Sequence, residues 1–163
     1  MNAAIQTLRT VTALAFGLWM VPALAEINLT TTVQKVERVT AADGTVSSRL
    51  VAAEKVVPGD EMHYTIVFRN DDQKPIDTGS VVITNPIPDN TVYLANTAFG
   101  AGTDIAYSVD GATSFASPDE LTVVRDGAEV IASSADYTAI QWTFGPALAP
   151  AAQSYVSFNV RLK

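Results

Sequence analysis

One histidine, no cysteine and 17 acidic side chains set the chemistry open to this chain. The histidine, His63, stands two residues after Glu61 in "PGDEMHY". A histidine works as a general base when a nucleophile lies within hydrogen-bond reach and a third group orients its ring. No neighbouring residue offers that arrangement, so a solvent-facing strand position is the expected role of His63. With no thiolate in the chain, a zinc ion here would need three carboxylates as its other ligands. The acids offer a different chemistry. Asp60-Glu61, Asp71-Asp72, Asp89, Asp110 and Asp119-Glu120 all fall at the ends of strand-like runs. Calcium takes about six to eight oxygen ligands and accepts carboxylates from several loops, which makes Asp60, Glu61, Asp71 and Asp72 the candidate metal ligands. Against this, no D-x-D-x-D-G spacing is present, and Asp is common in turns for backbone reasons alone. Neither a G-x-S-x-G element nor a G-x-x-x-x-G-K loop occurs, so no catalytic residue and no cofactor is expected.

The elements that must position these residues are strands. "EMHYTIVFRN" puts Met62, Tyr64, Ile66 and Phe68 on one face and His63, Thr65, Val67 and Arg69 on the other, the period of a half-buried strand. Pro58-Gly59 leads into it as a turn in which Pro fixes φ and Gly accepts a positive φ. Similar alternation recurs in Ile105, Tyr107, Val109; in Ile140, Trp142, Phe144; and in Val156, Phe158, Val160, Leu162. Asp43-Gly44 and Arg125-Asp126-Gly127 are hairpin signals. The first run, "INLTTTVQKVERV", carries Ile27, Leu29, Thr31 and Val33 on one face. Its apolar phase then moves to Val36 and Val39, which predicts a bulge or break near Gln34. About seven to nine short strands with turns between them predict an all-β, antiparallel β-sandwich. Residues 26–57 form either a separate hairpin laid on the domain or its first edge strands, and residues 58–163 form the sandwich proper.

In such a sandwich Tyr64, Phe68, Trp142, Phe144 and Phe158 belong to the core rather than to a carbohydrate platform. Tyr93, Tyr107, Tyr137 and Tyr155 are different, because each hydroxyl must reach water or a partner. An exposed cluster of these tyrosines would make a recognition surface.

The N-terminus reads as an export signal. Arg9 precedes an apolar run of about eleven residues, too short for the roughly 20 needed to span a bilayer. "ALA" then closes it at Ala25. Residues 1–25 are therefore expected to be a signal peptide cleaved after Ala25. The mature chain would lie in the periplasm, outside the cell or on its surface, with no membrane span. The 163 residues carry 10 basic and 17 acidic side chains, a net charge of −7 that becomes −8 once Arg9 is removed. Nucleic acid is excluded as a partner by that balance, and anionic membrane surfaces are disfavoured by it. Without cysteine, packing alone must hold an exported fold.

"VVPGDEMHYTIVFRND" followed by "VVITNPIPDNTVYL" resembles the DUF11 domain, a conserved-repeat module of bacterial and archaeal exported proteins. "AYSVDGATSF", "DYTAIQWTF" and "LAPAAQSYVSFNVRLK" resemble its closing half, so the likeness covers residues 56–163. Two departures stand out. Asn85-Pro86 occupies a place where the family often has Asp-Pro. Pro150-Ala151 occupies one where it often has Pro-Gly, which implies that no positive φ is needed there or that it is met differently. The resemblance implies an immunoglobulin-like sandwich of the envelope with no catalytic residues.

The expected function is therefore structural. A non-catalytic envelope module would bind other envelope proteins or itself, with "EINLTTTVQKV" as the strand edge that pairs. The alternative is a glycan- or calcium-binding module.

Overall fold

Alternation becomes strand wherever it is long. The computed structural model describes residues 27–163, so the expected signal peptide lies outside the described residues. Eleven strands follow in order: β1 (Ile27–Thr40), β2 (Val46–Ala52), β3 (Glu61–Asn70), β4 (Val81–Pro86), β5 (Thr91–Tyr93), β6 (Phe99–Gly100), β7 (Thr103–Ser108), β8 (Thr122–Arg125), β9 (Ala128–Ile131), β10 (Ala139–Phe144) and β11 (Gln153–Leu162). A single 3-10 turn, Ser134–Asp136, precedes β10. The count exceeds the expected seven to nine because β5 and β6, of three and two residues, add short rungs to β11.

All pairings are antiparallel. One sheet runs β2-β1-β3-β11-β5, with β6 also on β11; a second runs β4-β10-β7; β8 and β9 form a separate hairpin. The two larger sheets meet face to face in one core. Phe68 of β3 meets Phe144 of β10 edge-on at 5.2 Å between ring centroids, and Trp142 of β10 lies 5.9 Å from Phe158 of β11. Phe68, Trp142, Phe158 and Ile140 are completely buried. At about 25 cal/mol per Å² of apolar surface removed from water, such rings dominate the stabilisation. The indole N–H of Trp142 is buried without an acceptor among the described residues.

Turns behave as their residues require. Asp60 N–H donates to Val57 O at 3.0 Å with Gly59 at φ 92°, a turn with Pro58 and Gly59 in its two central places. Asp126 (φ 52°) and Gly127 (φ 79°) both take positive φ between β8 and β9, as a two-residue hairpin demands. At Ala151 the second alternative holds, a positive φ met without glycine. It sits at φ 59° in the turn closed by Ala152 N–H to Ala149 O, so a positive φ is needed there and alanine adopts it.

The bulge expected near Gln34 is absent. β1 pairs with β3 in unbroken register from Ile27↔Asn70 to Lys35↔Met62, and with β2 from Gln34↔Ala52 to Thr40↔Val46. The change of apolar phase marks a change of neighbour, not an inserted residue. Residues 26–57 thus supply edge strands of the main sheet from Ile27 onward. Because β2 and β3 flank β1, residues 53–60 must cross over it. They cross on the core side: Ala53 packs against the core, and Lys35, which shares a face with Met62, reaches Asp60.

Candidate interaction surface

The four candidate metal ligands are split between the two ends of β3, about 30 Å apart at 3.3 Å per residue. At the first end, the Asp60 carboxylate accepts from Lys35 Nζ at 2.7 Å and from Val57 N–H at 2.8 Å. The hydrogen bond from Lys35 and then that from Val57 hold its pKa below the ordinary 3.8. Glu61 accepts from Asn159 Nδ2 at 2.7 Å and faces Arg38 at 3.5 Å. At the other end, Asp71 pairs with Arg69 at 3.0 Å, and Asp72 accepts from the Gln73 N–H at 2.6 Å. Each carboxylate is thus answered by a cation or an amide of the chain. Among the described residues no group of three or more His, Asp or Glu side chains gathers where a metal ion could sit.

His63 is half-buried rather than solvent-facing. Its Nδ1 lies 2.6 Å from Asn159 Oδ1, and since Nδ2 of the same amide donates to Glu61, the ring donates at Nδ1. A chain of contacts His63–Asn159–Glu61–Arg38 results. It orients the imidazole, and among the described residues no hydroxyl is hydrogen-bonded to the ring as the nucleophile that general-base chemistry requires. Asn159 was hidden from sequence reasoning because it lies 96 residues away, and only the pairing of β3 with β11 brings it opposite His63.

The tyrosines do cluster, but inside. Tyr107 and Tyr137 stack at 4.6 Å, Tyr93 lies 5.6 Å from Tyr107, and all three are buried. The Tyr93 and Tyr107 hydroxyls meet at 3.2 Å, and Tyr93 Oη accepts from Ala98 N–H. Burial first, then the bond to Tyr93, push the Tyr107 phenol well above its usual range. Tyr93, Tyr107 and Tyr137 are therefore a core cluster, in which the Tyr93 and Tyr107 hydroxyls find each other as partners. Tyr155 alone stands out, 47% exposed and 5.9 Å from Phe99, itself 49% exposed.

What the fold leaves open is an edge. β1 has β3 along one side over residues 27–35, but β2 covers its other side only from Gln34 onward. Residues 27–33, "INLTTTV", thus have no neighbouring strand on that side among the described residues. Strand edges in monomers are ordinarily blunted by charge, proline or a bulge. This stretch has neither charge nor proline, and its register is unbroken. Leu29 and Val33 sit opposite Phe68 and Tyr64, on the core face, yet are 56% and 36% exposed. The reason is width: the facing sheet has three strands and does not reach under β1. Its two ends are flanked by Lys35–Asp60 and Arg69–Asp71, pairs that each balance their own charge.

Open clefts also mark the surface. One of about 420 Å³ is lined by Val36, Arg38, Gly59, Asp60, Glu61 and Arg161, a mixture of both charges. Another of about 370 Å³ lies beside Pro86, Tyr137 and Lys163. No helix among the described residues is long and apolar enough to cross a membrane. Set beside known proteins, the chain matches no family model, no curated protein and no solved structure.

Proposed function

We propose that this chain is an exported, non-catalytic module of the cell envelope that works by pairing another polypeptide along the open side of β1. One observation carries the reading: residues 27–33 are an uncharged, unblunted strand edge with exposed Leu29 and Val33 beside it. Such an edge offers main-chain hydrogen bonds for affinity and side-chain positions for selectivity. The engaged carboxylates at both ends of β3 and the lack of a nucleophile at His63 support a role outside catalysis. The leader, residues 1–25, supports export to the periplasm or cell surface, and the DUF11 resemblance supports an immunoglobulin-like envelope module.

A photocrosslinking side chain in place of Thr30, exposed in the middle of the edge, tests this in intact cells. A discrete adduct is expected from Thr30 and none from Val124, which is also exposed but lies on the separate β8–β9 hairpin. No adduct at Thr30 overturns the proposal.

The pair Phe99–Tyr155 favours a second reading, a small glycan platform. Ligands that bind only the native state must raise its melting temperature. A melting temperature unmoved by cell-wall glycans would remove that reading, and one unmoved by millimolar calcium would remove the calcium variant.

A further inference from the structure

Backbone contacts decide which peptide groups of β1 face outward. Asn70 N–H donates to Ala152 O, and Ala151 N–H donates to Asn70 O. Even-numbered residues of β3 therefore turn their peptide groups to β11, and odd-numbered ones turn them to β1. Odd residues of β3 lie opposite even residues of β1, as in Arg69↔Asn28 and Val67↔Thr30. The even residues of β1 are thus engaged with β3, and Leu29 and Thr31 aim N–H and C=O at the open side. The far end of the strand agrees: Ala41 N–H donates to Thr45 O, which puts odd residues on the side of β2.

This parity makes the edge complementary to itself. Lay a second copy antiparallel against it with Thr30 opposite Thr30. Leu29 then meets Thr31 and Ile27 meets Val33, all with outward peptide groups, so every rung is a hydrogen-bonded pair of the right kind. Asn28 meets Thr32 and Thr30 meets Thr30 in the intervening positions, polar against polar on the face away from the core. Leu29 and Val33 of both copies come together on the core face. The register also fits the space. Ala52 of β2 stands opposite Gln34, so a visiting strand stops at Val33, and this alignment uses all of residues 27–33. Charge points the same way: two mature chains, each of net −8 once Arg9 is removed with the leader, repel, and this uncharged strip is where they can meet at least cost.

We infer that the occupant of the edge is a second copy of this chain, paired antiparallel through residues 27–33 about a two-fold axis at Thr30; this rests on the reading of β1 as an interaction edge. The axis is isologous and joins the two main sheets into one. The strip is far smaller than the roughly 1,000 Å² of a stable interface, so the pair is a weak, concentration-dependent dimer.

Sedimentation velocity on the full mature chain, from about 10 μM to about 1 mM, tests it. The native chain should pass from monomer to dimer across that range. Thr30→Lys and Thr30→Glu each set like charges face to face in the closest type of pair, and each should weaken association at least tenfold. Thr30 is exposed, so both variants should keep the native circular dichroism and melting temperature. An equimolar mixture of the two should dimerise again, which only a Thr30-to-Thr30 register predicts. Variants that associate like the native chain, or a mixture that stays monomeric, overturn the inference. A native chain still monomeric at the highest concentration does so too. In that last case a Thr30 adduct to a different polypeptide leaves the edge reading standing, and the lack of any adduct removes both.

Discussion

At the scale of single residues, two positions hold more than their types suggest. Asn70 ends β3 completely buried, where its Nδ2 donates to Lys74 O and Leu148 O at 2.8 and 2.9 Å and its Oδ1 accepts from Asp72 N–H. It clamps the loop after β3 to the loop before β11. Asn70→Ala would remove all three bonds, leaving Leu148 O with only the Ile76 N–H and taking the Asn70 partner from Lys74 O and Asp72 N–H, and a loss of about 1–3 kcal/mol is expected in denaturant unfolding. Ala151 works against the fold. Its φ of 59° costs an L-residue about 1–2 kcal/mol, part of which glycine returns through its greater freedom when unfolded. Ala151→Gly should therefore stabilise by about 0.5–1 kcal/mol in the same measurement. The departure from Pro-Gly at this turn was visible in the sequence; the φ it must adopt was not, because it depends on the closure of Ala152 onto Ala149.

At the scale of elements, long alternation was legible and partnership was not. Met62 through Phe68, Ile140 through Phe144 and Val156 through Leu162 follow their apolar period into strands, and Asp126-Gly127 turns a hairpin where its residues demand one. That β11 would lie between β3 and β5, or that β1 would serve two neighbours, is a matter of long-range pairing to which local pattern is blind. The misplaced bulge at Gln34 has the same origin. Among the site candidates, the acids were found but their answering cations, Lys35 and Arg69, are supplied by the pairing of β1 with β3 and by a neighbour on β3 itself. The setting of the tyrosines stayed open in the sequence, because a phenol at a strand position looks alike in a wet or a dry setting. One element is set apart by exposure. Beyond Lys35 the β1–β2 hairpin has solvent on most of both faces, with Val39, Val46 and Leu50 exposed and an Arg49–Glu37 ion pair across it. A two-stranded ribbon with so little burial is marginal. Hydrogen exchange should find the amides of residues 37–49 opening at least a hundredfold faster than those of β3 and β11.

At the scale of the whole molecule, stability should be flat near neutrality and fall at both extremes. Asp60, Asp110 and Asp136 all have pKa values lowered below 3.8 by hydrogen bonds, from Lys35, Ser114 and Ser133 in the first place. Carboxylates with depressed native pKa values contribute stability that is complete above the unfolded value and lost as pH falls through the native one. The acid decline should thus begin near pH 4. Tyr107, Tyr137 and Tyr64 are raised above 10.0, burial being the first cause in each. A raised phenol contributes stability that is complete below pH 10 and lost above it, since the unfolded chain then ionises first. Melting temperatures from pH 2 to 11 should trace this plateau. A decline that sets in well above pH 4 would overturn the assignment of the acid limb to these carboxylates.

The placement of β11 between β3 and β5 also has a consequence in time. His63 finds Asn159 only 96 residues later, and at about 5–20 residues per second of synthesis β3 waits roughly 5–20 seconds for the neighbour that completes it. Through that interval the emerging polypeptide carries the apolar face of β3 with one flank unfilled. The fold is therefore completed only once β11 arrives, and until then the chain stays slack along that flank.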